Sequence, residues 1–157
     1  METITTWRVK SSSMGATEKI AADIGSKLRG GELIELVSDL GGGKTAFVRG
    51  LAKGMGSPDH VASPTFTISR EYRADDLTLY HFDFYRLQEP GILTAELHEV
   101  LHDPKAVVAV EWSDIVKHVL PDKRLTVHFD FEGDTDRTLR LSCPAGLSYL
   151  MPKRKDM

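Results

Sequence analysis

A single cysteine, Cys143, stands among the 157 residues. No disulfide can therefore form within the chain, and a reducing cytoplasm is the economical expectation. Its neighbours Ser142 and Pro144 carry no nucleophile motif, which leaves the thiol a structural role. Long apolar runs are missing as well. The longest, Ala106 to Val110, falls far short of the ~20 residues that cross a bilayer, so no membrane association is expected. The start, Met1-Glu2-Thr3-Ile4-Thr5-Thr6, lacks both the positive charge and the apolar stretch of a secretory signal, and export is not expected. Charge of one sign is scarce too: 20 Lys and Arg against 23 Asp and Glu leave a net charge of −3. That balance is a poor platform for independent binding to the polyanionic backbone of nucleic acid. The short basic run Lys153-Arg154-Lys155 fits a solvated terminus better than a contact with nucleic acid or an acidic partner.

What remains is an ordinary globular composition, 41% hydrophobic and 27% charged, long enough for one domain with a core and too short for two. We read one domain over residues 1–150 and a short basic tail over 151–157. A strand from Ile4 to Val9 leads to Ser11-Ser12-Ser13, after which Ile20, Ala21, Ile24 and Leu28 recur at helical spacing until Gly30-Gly31. A strand from Glu32 to Val37 enters a glycine-rich stretch, and a helix bearing Phe47, Val48 and Leu51 leaves it. Alternation from Thr67 to Tyr72 and a strand from Leu77 to Asp83, joined at Ala74-Asp75-Asp76, predict an antiparallel hairpin. Leu93, Leu97, Val100 and Leu101 make an amphipathic helix closed by Asp103-Pro104. Ala106 to Val110 fits a strand covered on both faces. A short helix over 113–120 and a final hairpin of 125–131 with 138–141 across Gly133-Asp134 complete an α/β chain, a mixed β-sheet flanked by helices.

The chemistry concentrates at Ser38-Asp39-Leu40-Gly41-Gly42-Gly43-Lys44-Thr45. A phosphate-binding loop needs a tight turn whose N–H groups converge on oxygen anions, a lysine for the terminal phosphates and a hydroxyl for Mg²⁺. Gly43, Lys44 and Thr45 supply these between an apolar strand and an apolar helix, although the strict pattern has glycine where Ser38 stands. Mg²⁺ is commonly held by a hydroxyl and one or two carboxylates. Asp83 and Glu111 each end a strand, and open α/β sheets bind ligands at the carboxyl ends of their strands, so both are placed to face the loop. His81 is read first as a hydrogen-bonded core residue. Arg86 fits either a transition-state cation or an ion-pair partner. Thr65, in Ser63-Pro64-Thr65-Phe66, fits equally a simple turn and a switch segment that senses the terminal phosphate after the first helix of the site. Trp112 fits core filling better than stacking on a base.

The set Ser38 to Thr45, Ser63-Pro64-Thr65-Phe66, His81-Phe82-Asp83-Phe84-Tyr85-Arg86 and Glu111-Trp112 resembles the TsaE family of bacterial ATPases in tRNA threonylcarbamoyladenosine biosynthesis. The resemblance covers roughly Ser11 to Arg124. It implies a P-loop NTPase-like fold that binds ATP and Mg²⁺ and works with the TsaD and TsaB proteins, which carry out the transfer to the adenosine beside the anticodon; tRNA would be met through that complex. It further implies that Asp39, Leu40, Gly41, Gly42, Gly43, Lys44, Thr45 and Ala46 hold the nucleotide, and that Thr45 and Glu111 hold Mg²⁺. Thr65 would sit in the switch-like loop, and Asp83 would support hydrolysis directly or through Mg²⁺-bound water. The family usually has glycine at the position of Ser38, alanine at that of Gly42 and threonine at that of Ala46. Neither the loss of the first glycine nor that of the second threonine removes a principal ligand. The nearest rival is a small-molecule kinase, which begins with the same loop but adds an arginine-rich lid, and no arginine occurs between Arg86 and Arg124. A GTPase would need an Asn-Lys-x-Asp segment, and the chain has none.

Overall fold

The strand that leads into the glycine-rich segment runs near the middle of the sheet. The structure is a computed structural model and describes residues 3–38, 43–59, 69–84, 91–133 and 136–152. In chain order the elements are β1 (Ile4–Ser11), α1 (Met14–Gly25), β2 (Leu33–Val37), α2 (Lys44–Met55), β3 (Ser69–Arg73), β4 (Thr78–Asp83), α3 (Gly91–Leu101), β5 (Ala106–Glu111), a 3-10 helix Ser113–Val119, β6 (Leu125–Phe131), β7 (Arg137–Pro144) and a second 3-10 helix Ala145–Leu150. Seven strands form one sheet in the order β1-β7-β6-β2-β5-β4-β3. β2 runs parallel to β5 and to β6, and β4 parallel to β5, whereas β1, β3 and β7 pair antiparallel.

This is the mixed sheet with flanking helices that the sequence predicts. β1 and β7 run longer than their apolar cores, because each pairs with the other along its full length from Ile4↔Pro144 to Ser11↔Arg137. The closing 3-10 helix is an addition to the sequence reading, and its Leu147 and Leu150, followed by Met151, pack into the core.

Alternation along the strands divides the interior into two layers. On one face Ile34, Leu36, Leu79, Ala109, Val127 and Leu139 meet α1 and α2 through Ile24, Phe47 and Leu51. On the other, Leu33, Phe82, Val108 and Val110 meet Leu97 of α3 and Val116 of the first 3-10 helix. All six residues of β5 are buried, as its continuous apolar run requires. Cys143 is buried in the first layer, in keeping with a structural thiol. No helix among the described residues is long and apolar enough to cross a membrane.

The register brings the strand ends together. Leu36 of β2 lies opposite Glu111 of β5, and Asp83 of β4 lies opposite the same Glu111. Because β2, β5 and β4 are parallel, these positions form one row at the carboxyl edge of the sheet, beside the start of α2.

Candidate functional site

Helix α2 starts without a side-chain cap. Its N-cap residue, Gly43, has φ 97°, a left-handed conformation that glycine adopts at little cost and other residues seldom do. The sequence therefore ends the loop on a residue that turns the backbone without offering an oxygen to the first amides of the helix. Those amides, and the positive end of the helix dipole, are the ordinary ingredients of an anion site. Helix α1 shows the contrast: Ser13 caps it, its hydroxyl accepting from the Ala16 amide at 3.0 Å.

Lys44, the first residue of α2, is buried, 6% exposed. Its Nζ donates to the Ser38 carbonyl at 3.0 Å, lies 3.7 Å from Oε1 of Glu111 and sits 4.3 Å from the centre of the Trp112 ring. The ammonium is thus drawn back over the strand ends, bridging the exit of β2 to the end of β5. Trp112 has φ 56°, the one positive value among the described non-glycine residues. A bulky side chain in that region is uncommon. Here the turn after β5 lays the indole beside the lysine, a cation–π placement rather than plain core filling.

The carboxylate of Glu111 is 5% exposed and divided between two partners: Oε1 faces Lys44, and Oε2 is hydrogen-bonded to Nε2 of His81. His81 is fully buried, and its Nδ1 has no hydrogen-bond partner among the described residues. The sequence reading of His81 as a bonded core residue holds, and its partner is a member of the site. A buried carboxylate is costly unless paired and bonded, and the hydrogen bond to the histidine fixes the orientation of Glu111. Asp83, half-buried, stands one strand away in register, and Thr45 follows Lys44 on α2.

Two carboxylates and a hydroxyl form an all-oxygen donor set, the kind that suits Mg²⁺. The residues present fit that ion, with Thr45 and Glu111 as its predicted holders. Asp39, Leu40, Gly41 and Gly42 of the loop, Thr65 with its Ser-Pro-Thr-Phe segment, Tyr85, Arg86 and the basic run 153–155 lie outside the described residues. Ala46, in the first turn of α2, is fully buried. Arg124 is bonded to Glu35 at 3.1 Å and to the Pro121 carbonyl at 2.9 Å, so it is no lid arginine.

Two residues of consequence go unmarked in the sequence reading. Glu35, inside the apolar run Leu33–Val37, is 3% exposed and accepts from Ser113, from Arg124 and from Thr126 at 3.2 Å. Burial pushes its carboxyl up, but those hydrogen bonds and the Arg124 charge outweigh burial and hold it below the usual range. The signal was one charged residue within a strand otherwise free of charge. Arg137, at the start of β7, reaches the glycine loop: a β-carbon at Gly43 would overlap its Nη1. Nothing local to the final hairpin announces this, because the approach of Arg137 to Gly43 depends on the order of strands in the sheet.

A family model described as threonylcarbamoyl adenosine biosynthesis protein TsaE matches residues 11–139. The chain is 37% identical over 123 residues to the tRNA threonylcarbamoyladenosine biosynthesis protein TsaE of Bacillus subtilis (strain 168), covering 78% of this chain and 77% of that protein. It is 32% identical over 123 residues to the protein of the same name from Rickettsia felis, covering 77% and 71%. Among solved structures, the crystal structure of Bacillus subtilis YdiB matches with a TM-score of 0.74 and 29% identity, over 93% of this chain and 90% of that one.

Proposed function

Because the chain belongs to the TsaE family of threonylcarbamoyl adenosine biosynthesis proteins, we propose that it is a Mg²⁺-dependent ATPase of the cytoplasm that serves threonylcarbamoyladenosine modification of tRNA together with TsaD and TsaB. The observation that carries the ATPase reading is the environment of Lys44. A buried ammonium at the uncapped start of α2 is shared between a backbone carbonyl, a carboxylate and an indole face. A polyphosphate entering the crevice offers it stronger, charge-assisted hydrogen bonds. Lys44 then exchanges the Ser38 carbonyl for phosphate oxygens, and the amides at the start of α2 take up the neighbouring ones.

Thr45 and Glu111 would hold Mg²⁺, which would supply neutralisation of the phosphate charge. His81 keeps Glu111 oriented. Asp83, which is beside Glu111 in register, would orient the attacking water or accept its proton, directly or through a bound water. Thr65 belongs to the segment that senses the terminal phosphate. Family membership supports the pathway, and the oxygen-rich, lysine-centred site supports phosphate chemistry within it. An assembly whose partners carry out the transfer needs from this chain a state that differs before and after hydrolysis.

The test is an ATP titration by calorimetry on the full chain and on Lys44→Ala. We expect the variant to lose nucleotide affinity by more than about 10-fold, the worth of at least one charge-assisted contact. Equal affinity would refute the site.

A further inference from the structure

Strand β1 ends the sheet. It pairs with β7 and with no other strand among the described residues, so alternate residues along its outer side turn N–H and C=O groups away from the sheet. Side chains alternate across it as well. Trp7 and Val9 pack toward α1 and α2, which leaves Thr6, Arg8 and Lys10 on the opposite face, all exposed. Arg8 lies beside Arg140 in register, and the charge of Arg140 is answered by Asp130. Arg8 and Lys10 themselves form no ion pair among the described residues. The α1 face of the same strand differs in kind: Val9, Ile20, Ile24 and Pro152, with Lys19 and Asp23, line a groove of about 310 Å³ between β1 and α1. Asp23 is already paired with Lys27.

A strand laid along this edge would run about 4.8 Å from β1 and send its side chains alternately to the two faces. On one it would meet the apolar groove beside Val9, and on the other the two cations, which stand two residues apart. We infer that the outer edge of β1 is a docking site for an extended segment of another protein in which acidic residues alternate with apolar ones, added to the sheet as a further strand. Charge rules out the nearer occupants. A second copy would set Arg8 and Lys10 against their own counterparts, and the chain's basic run Lys153-Arg154-Lys155 would likewise bring cation to cation. A net charge of −3 gives no long-range attraction to a nucleic-acid backbone, which also has nothing to place in an apolar groove. Charges on an edge strand ordinarily keep sheets from joining. Here they occupy one face and leave the other open, so they select the sign of the incoming strand.

The experiment titrates a capped synthetic peptide, Thr-Val-Glu-Val-Glu-Val-Thr, and its counterpart with lysine in place of glutamate into the full-length protein, followed by backbone amide NMR and hydrogen exchange. The glutamate peptide should shift resonances of β1 and of the groove residues and slow exchange at alternate β1 amides, whereas the lysine peptide should leave them in place. Combined reversal of the two cations, Arg8→Glu with Lys10→Glu, should weaken the glutamate peptide by about 10-fold or more and admit the lysine peptide. The comparison of the two peptides on the unsubstituted protein stands even if the reversed variant fails to fold. No binding of the glutamate peptide, equal affinity for both peptides, or shifts that avoid β1 would each overturn the assignment. So would a chain that self-associates through β1 in sedimentation, which gives the edge to a second copy, or β1 amides that answer to oligouridylate and not to the peptide, which gives it to RNA.

Discussion

Lys44, Glu111 and His81 make one connected unit in which each group restrains the next. The carboxylate holds the lysine near the strand ends, and the histidine holds the carboxylate. Replacing His81 with Phe keeps the ring volume but removes the bond to a buried acid, which costs about 1–3 kcal/mol when a buried acceptor loses its partner. We expect His81→Phe to lower the urea unfolding free energy by that amount and to depress ATP turnover. His81→Gln, which retains a donor, should recover much of both; turnover unchanged in the phenylalanine variant would remove His81 from the site. At this scale the sequence was readable wherever chemistry obeys local spacing. Lys44 and Thr45 follow the glycines, and Asp83 and Glu111 close their strands. It was silent where a role depends on a distant neighbour: Glu111 lies 30 residues beyond His81, and Glu35 gains its partners from Ser113, Arg124 and Thr126.

Helices α1 and α2 approach each other more closely than their apolar stripes suggest. A β-carbon at Gly25 would overlap the Leu51 carbonyl, one at Gly50 the Glu18 carbonyl, and one at Gly54 the Ala22 carbonyl. The two helices therefore meet backbone to backbone, with an ion pair of Glu18 and Lys53 at the rim. Gly50→Ala gains helix propensity of about 1 kcal/mol yet forces the helices apart, and overpacking of this kind costs about 1–3 kcal/mol. Since backbone carbonyls cannot step aside as a flexible side chain would, we expect a net loss of stability in chemical denaturation, with weaker ATP binding because α2 carries Lys44 and Thr45. A variant as stable as the parent would show that the gap is wider than described. Periodicity located both helices because their buried stripes are regular. The closeness of their approach was not legible, since glycine in a helix signals a breaker and a contact alike. The length of β1 and β7 likewise reflects mutual pairing, which hydrophobicity along either strand does not encode.

Across the whole molecule, one face of the sheet packs against α1 and α2 and the other carries a polar cleft of about 360 Å³ lined by Glu35, Asp114, Lys117, His128, Asp130 and Arg140, among others. Burial, chiefly, and the Arg140 and Lys117 charges push the His128 imidazole below its ordinary value of 6.5, against the opposing pull of Asp130 and Glu35. A histidine depressed in the folded state binds its proton more readily when unfolded, so its contribution to stability is complete above 6.5 and is lost as pH falls from there toward the folded value. We expect the urea midpoint to fall between pH 7.5 and 5.5, and His128→Gln to flatten that fall; identical pH profiles would exclude the histidine as its source. Glu35, held low, gives up its share only further down, as pH drops below its ordinary 4.5. The mixed sheet was legible at this scale because the order strand, glycine loop, helix, strand-end acid and second strand-end acid imposes a parallel centre. The antiparallel closure by β1 and β7 came from the tertiary structure.

We propose that this chain hydrolyses ATP in the service of an RNA-modifying assembly. The decisive assay follows Mg²⁺-dependent ATP hydrolysis by the full chain, alone and with purified TsaB and TsaD, and formation of threonylcarbamoyladenosine on tRNA in the same reactions. Slow hydrolysis alone, stimulated by the pair, with modification that is lost in Asp83→Ala and Glu111→Ala, is the predicted result. Hydrolysis indifferent to TsaB and TsaD, with no modification that depends on this chain, would contradict it.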